Sequence, residues 1–261
     1  MRLSIKPNDR VTFKVRYESE AILVLDKPCG LVTQPGLGHD RSSLMNGLFV
    51  KYGPELQKLG SERDYGLLHR LDKETSGLVM VARTIDAYDK LRAAFEAREI
   101  RKFYWAVVKD KPKSDSGVIK KPLAEFQGTP QSDRRQLSGG RTLKLCRVSS
   151  AGKPSATAYR VLSTGVAASL LECRALTGRL HQVRVHLASM GCPILGDDYY
   201  AMQGPREAAN RLALHAHRIV FTNPIATGEI DVRSPFPKEL RGLMKKLGLP
   251  KPEMVQKSAE S

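Results

Sequence analysis

Gly66-Leu-Leu-His-Arg-Leu-Asp-Lys-Glu-Thr-Ser-Gly-Leu-Val-Met-Val-Ala82 sets an apolar stretch, a polar loop and a second apolar stretch in a row. Gly66–Leu71 reads as a strand, Asp72–Ser76 as a loop, and Gly77–Ala82 as a second strand. Loops at strand ends are where a rigid frame often holds catalytic groups. Arg70 and Asp72 stand two apart, so on a strand they share one face, where an ordinary salt bridge is the plain structural reading.

Reading downstream, Thr84 is placed to cap a helix over Ile85–Arg98, with Asp86 in its first turn and Leu91 and Phe95 at i, i+4. The strand Ile100–Lys109 follows, with Phe103 and Trp105 on one face and Lys102 and Tyr104 on the other. Upstream, Ala21–Leu25 reads as a buried strand and Pro28–Asp40 as a loop. Leu44, Leu48 and Tyr52 fit a helix that stops before Gly53-Pro54, and short strands are expected around Leu3–Ile5 and Val11–Val15. From Pro112 to Pro154 the chain is polar and basic, with Arg134, Arg135 and Arg141, and is expected to form loops with short strands. Strands resume at Ala156–Leu162, Ser169–Ala175, Leu214–Phe221 and Glu229–Val232. Helices are expected at Leu180–Met190, where Val183, Val185 and Leu187 also fit a strand, and at Lys238–Leu247. Strands in groups with few helices between them point to an α+β fold on a mixed, mainly antiparallel sheet. No composition break marks a boundary, so residues 1–249 are taken as one domain and 250–261 as a flexible tail.

The 261 residues include 43 Lys and Arg against 27 Asp and Glu, a net charge of +16, and a 41% hydrophobic share that can build a core. Such an excess of positive charge favours polyanions, nucleic acid first. No run approaches the roughly 18–20 apolar residues of a membrane helix. The first twenty residues carry early charges and no apolar signal core, so a cytoplasmic protein is expected. Cys29, Cys146, Cys173 and Cys192 form no CxxC pair and read as reduced thiols. His181 and His186 are badly spaced for one metal on a helix, and His215 and His217 lack a third ligand nearby. Phosphate-binding glycine motifs are missing, which argues against nucleoside triphosphate or dinucleotide use.

HRLDKETSGLVMVAR at 69–83 resembles the signature of the RluA-type RNA pseudouridine synthases. Four further stretches agree in order: LVLDKPCGLVTQPG at 23–36, K-x-Y-x-A-x-V at Lys102–Val108, LTGRLHQVRVHLASMGCPILGDDYY at 176–200, and LALHAHRIVFTNP at 212–224. The resemblance implies a pseudouridine-synthase-like catalytic domain on a curved sheet with flanking helices, its active site in a cleft. Residue by residue it implies Asp72 as the catalytic aspartate and Arg184 as its basic partner. It implies Tyr104 as the tyrosine packed on the target base, and Arg70 as the arginine that fills the gap left by the flipped nucleotide. The small N-terminal RNA-binding domain of some members is expected to be absent.

The implied reaction moves uracil from N1 to C5 of the same nucleotide, with no net gain of atoms or electrons, so no cofactor is expected. It needs a carboxylate that attacks the sugar or promotes loss of the base, and a neighbouring arginine favours the charged form of such a group. Extruding a base costs a few kcal/mol, which gap filling and stacking offset. Tyr104 could also help remove the proton from C5. The expected partner is RNA, ribosomal ahead of transfer RNA, held partly by Lys and Arg of 101–153; no membrane is expected, and the protein is expected to act as a monomer. The rival expectation is a non-catalytic RNA-binding or assembly factor that keeps the fold.

Overall fold

The structure is a computed structural model that describes residues 3–36, 38–128, 143–201, 209–250 and 252. Arg134, Arg135 and Arg141 lie outside the described residues, as does most of the segment 250–261.

The chain runs β1 (Lys14–Glu18), β2 (Ile22–Lys27), α1 (Leu44–Leu56), β3 (Ser76–Ala82), α2 (Ile85–Glu96), β4 (Arg101–Lys109), β5 (Ser116–Ile119), β6 (Leu123–Gly128) and β7 (Leu143–Val148). It continues with β8 (Thr157–Thr164), β9 (Ala168–Ala175), α3 (Gln182–Ser189), β10 (Leu214–Thr222), β11 (Glu229–Arg233) and α4 (Lys238–Lys246). Among the described residues the main sheet has the order β1-β2-β3-β10-β4-β9-β8-β5, with β11 paired to β10, while β6 and β7 form a separate hairpin. All its pairings are antiparallel except β3 with β10. The fold is α+β on a mixed, mostly antiparallel sheet.

Every residue of β3 is buried, which is why it reads as a continuous apolar run rather than an alternation. Leu44, Leu48, Phe49 and Leu56 of α1 pack with Val79 and Val81, while Ala87, Tyr88 and Leu91 of α2 pack with Leu78, Met80 and Ala82. The two helices therefore cover opposite faces of the same strand. A third cluster joins Val183 and Leu187 of α3 and Leu240 and Leu243 of α4 to β4, β9 and β10. Where β3 meets β10, His215 pairs with Ser76 and Ala216 with Gly77. Gly77 has φ +116°, and a Cβ there would lie 2.2 Å from the Ala216 carbonyl oxygen. Only glycine lets the two backbones meet at the end of the Asp72 loop.

Several local expectations are corrected. Gly66–Leu71 is not a strand: a single bridge joins Leu67 to Val81. Its leucines are buried as the pattern required, but side chains occupy the positions of ladder partners. The His69 Nε2 accepts the Met80 N–H at 3.1 Å, and the Thr33 hydroxyl both accepts from Leu71 N–H and donates to Leu71 O. Helix α1 runs through Gly53-Pro54 because Tyr52 and Leu56 continue its buried stripe. Leu3–Ile5 forms no strand, and the expected Val11–Val15 strand lies at Lys14–Glu18, where it pairs with β2. Helix α3 starts at Gln182 because His181 is left-handed, φ +51°. Among the described residues no helix is long and apolar enough to cross a membrane.

Candidate active site

The loop after His69 is tied down by the segment 27–33. The Lys27 ammonium, fully buried, donates to the carbonyls of Pro28 (3.0 Å), Leu31 (2.7 Å) and Lys73 (3.3 Å). Burial lowers its pKa to about 8. The Gly30 N–H donates to Lys73 O at 2.8 Å and the Cys29 thiol to Glu74 O at 3.0 Å. The turn itself closes with Thr75 N–H on Asp72 O, 3.1 Å. The loop is thus fixed through its backbone, and the Asp72 carboxylate is left to the cleft, with its side chain 23% exposed.

Opposite it, α3 carries Arg184. Gln182 sets the start of that helix: its Oε1 accepts from Arg179 N–H and the Thr177 hydroxyl, and its Nε2 donates to Ala156 O. Arg184 then reaches into the interior with a side chain 1% exposed. Its Nε and Nη2 donate to the two oxygens of Asp197, each at 2.8 Å, and Nη1 donates to Asp72 Oδ2 at 3.3 Å. Burial alone would lower the pKa of Arg184, but the bonds to Asp197 and the charges of Asp197 and Asp72 raise it. Burial pushes Asp197 up, yet Arg184 and the N–H groups of Tyr199 and Tyr200 outweigh it and hold Asp197 below the usual carboxylate range. The guanidinium also lies over the rings of Tyr199 and Tyr200 at 4.8 and 5.3 Å.

His181 flanks the same carboxylate, with Nε2 3.8 Å from Asp72 Oδ2 and Nδ1 2.7 Å from the Tyr200 hydroxyl. Burial lowers the pKa of His181. Tyr104 leaves β4 on the cleft side. Burial, with a contribution from the Asp72 charge, pushes its phenol well above the ordinary range.

A cleft of about 730 Å³ joins these groups; Asp72, Tyr104, His181 and Arg184 all line it. Arg70 lines it too, at the exposed rim, where its charge acts on Glu125 of β6. The four residues singled out from the sequence therefore meet at one cleft, three at its floor and one at its edge. Asp197, the main partner of Arg184, escaped the sequence reading, as did the Tyr200–His181 contact. Both fall within the quoted stretch 176–200, but nothing local distinguishes Asp197 from Asp198.

A sequence profile of the family described as RNA pseudouridylate synthase matches residues 21–189. The chain belongs to that family. It is thereby placed among the isomerases that make pseudouridine in RNA. The chain is 35% identical over 243 residues to the ribosomal large subunit pseudouridine synthase D of Nitrosomonas europaea, covering 90% of this chain and 65% of that protein. A protein of the same description from Zymomonas mobilis is 36% identical over 93% of this chain and 74% of its own length. The chain thus spans about two thirds to three quarters of these relatives. Among solved structures, human RNA Pseudouridylate Synthase Domain Containing 4 superposes with a TM-score of 0.69 at 25% identity, covering 92% of this chain and 94% of its own.

Proposed function

We propose that this protein isomerises uridine to pseudouridine in large-subunit ribosomal RNA, with Asp72 as the attacking carboxylate. The observation that carries the reading is an accessible carboxylate facing one nitrogen of a buried, anchored guanidinium at the floor of a cleft. A uracil that leaves its stack enters that cleft with its sugar toward Asp72. Arg184 meets the negative charge of the carboxylate from a fixed direction and, held by Asp197, does not reorganise as that charge changes.

Tyr104 offers a ring face for the base, worth roughly 1–3 kcal/mol as a stack. Its raised pKa keeps the phenol protonated, which favours that stacking role over removal of the C5 proton. Arg70 at the rim has the reach and exposure to fill the vacated place in the RNA. No cofactor is needed, since the reaction is an internal transfer. The ribosomal substrate rests on the two relatives named for the large subunit. Such an enzyme would work where ribosomal RNA is made, the cytoplasm of a bacterium, and as a monomer it would keep the cleft open to a bulky RNA.

The test is tritium release from large-subunit ribosomal RNA labelled at C5 of uridine. The native protein is expected to release tritium, and Asp72→Asn to lose on the order of 10⁴-fold or more in rate. Tight RNA binding without release by the native protein would instead mark a non-catalytic RNA-binding factor. Equal release by both would place the attacking group elsewhere.

A further inference from the structure

The cleft is also lined by His69, Arg92, Phe95, Arg98, Lys102 and Arg179, and the contacts of Lys102 and His69 with Phe95 gather three of these at one end. Lys102 and Tyr104 leave β4 on the same face, two residues apart, so they stand about 7 Å from each other along the strand. The Lys102 Nζ lies 5.2 Å from the centre of the Phe95 ring. A Cβ on Gly178 would come within 3.8 Å of that nitrogen, and as glycine the residue leaves the space beside it open.

Several other cations of the molecule have carboxylate or carbonyl partners. Arg92 pairs with Glu96, Arg101 with Glu229, and the buried Lys27 with three carbonyls. Lys102 has no carboxylate or carbonyl partner among the described residues. Burial lowers its pKa to about 8. Lys102 is half-buried, and an aromatic ring as its one neighbour offsets only part of the cost of taking a cation out of water. His69, whose ring contacts Phe95 and which feels the charge of Lys102, adds an N–H at this end: its Nε2 is taken as an acceptor by Met80 N–H, so the proton sits on Nδ1.

We propose that Lys102 is a phosphate-binding residue that holds the RNA backbone next to the uridine presented to Asp72, with Gly178 leaving room for the phosphate and His69 beside it. The placement rests on the uridine-isomerase reading above. One strand then carries both functions, the base on Tyr104 and the adjoining phosphate on Lys102. Phosphate contacts of this kind set register and affinity without reading sequence.

The experiment measures tritium release and filter retention with the same large-subunit ribosomal RNA transcript across a salt series, for the native protein, Lys102→Met and Lys102→Arg. For Lys102→Met the KM is expected to rise about fourfold near 0.15 M salt, and the slope of log affinity against log salt to shrink by about 0.7. Its kcat at saturating RNA stays as in the native protein, and Lys102→Arg keeps the native slope. An unchanged slope in Lys102→Met, or a fall in kcat without a change in KM, overturns the assignment. Lys102→Gln stands in if the methionine variant does not fold. Should the native protein release no tritium, the isomerase reading fails, and the filter-retention slope still decides whether Lys102 holds phosphate.

Discussion

Tyr104 and Trp105 are neighbours on β4, yet they face two buried polar clusters that behave differently. Behind the sheet, Trp105 stacks on His217 at 3.9 Å with the rings 6° apart, and His215 bonds to Ser76 and Ser234. Ser234 donates to Asp26, and Asp26 takes Arg16. The charged groups of that cluster end on protein partners, Asp26 on Arg16 and Glu172 on Arg160. In front, Arg184 and Asp197 are equally buried, but the carboxylate they face keeps open contact with the cleft. Buried charge alone therefore does not mark a site on this sheet. What marks it is a charge held from one side only.

This contrast can be broken by experiment. The largest stability effect is expected from Asp197→Asn, which leaves the buried guanidinium with half its anchor. A loss of about 3–5 kcal/mol in urea unfolding is expected, and turnover per folded molecule should fall on the order of a hundredfold as the fork loses its aim. If stability drops while turnover holds, Arg184 does not need its second carboxylate. Trp105→Leu comes next, behind the sheet. It should cost about 2–4 kcal/mol and leave turnover per folded molecule unchanged at a permissive temperature. A matching fall in turnover would show that the back cluster shapes the cleft.

The smallest effect per substitution is on acid sensitivity, which is spread over several groups. His69, with a pKa near 3, and His181, His186, His215 and His217 all lie below the ordinary imidazole value, burial being the first cause in each. Below about pH 6.5 the unfolded chain takes up protons that the native chain refuses, so stability is full above that pH and falls as pH drops. Each such group contributes up to about 1.4 kcal/mol per pH unit in that range. His215→Asn should make the decline from pH 6.5 to 5 shallower, as read by urea titration. A flat profile over that range would show that these imidazoles charge freely in the native protein.

Much of the frame could be read from residues because the signals are local. Thr84 does cap α2, accepting from Ala87 N–H, and β3 follows its apolar run to within a residue. The failures have a shared physical cause. At 66–71 burial was legible but pairing was not, since a histidine ring and a threonine hydroxyl took the ladder positions. Likewise Pro54 signals a helix end, yet Tyr52 and Leu56 face a core that no local pattern describes. As for the cleft, Asp72 and Arg184 lie 112 residues apart, and only the family resemblance joined them in advance. Asp197 was hidden because its partner is fixed by how α3 meets the sheet, a property of packing rather than of spacing.

The position of β10 has a consequence for how the molecule comes into being. Residues 214–222 are wedged between β3 and β4, two strands synthesised more than a hundred residues earlier. On a growing chain those two strands wait with unpaired edges, and the halves carrying Asp72 and Arg184 have nothing to hold them in register. Such long-range pairing slows folding and leaves exposed edges open to wrong partners. A ribosome making this protein must extend the chain through β10 before the two sides of the cleft can be joined in one sheet.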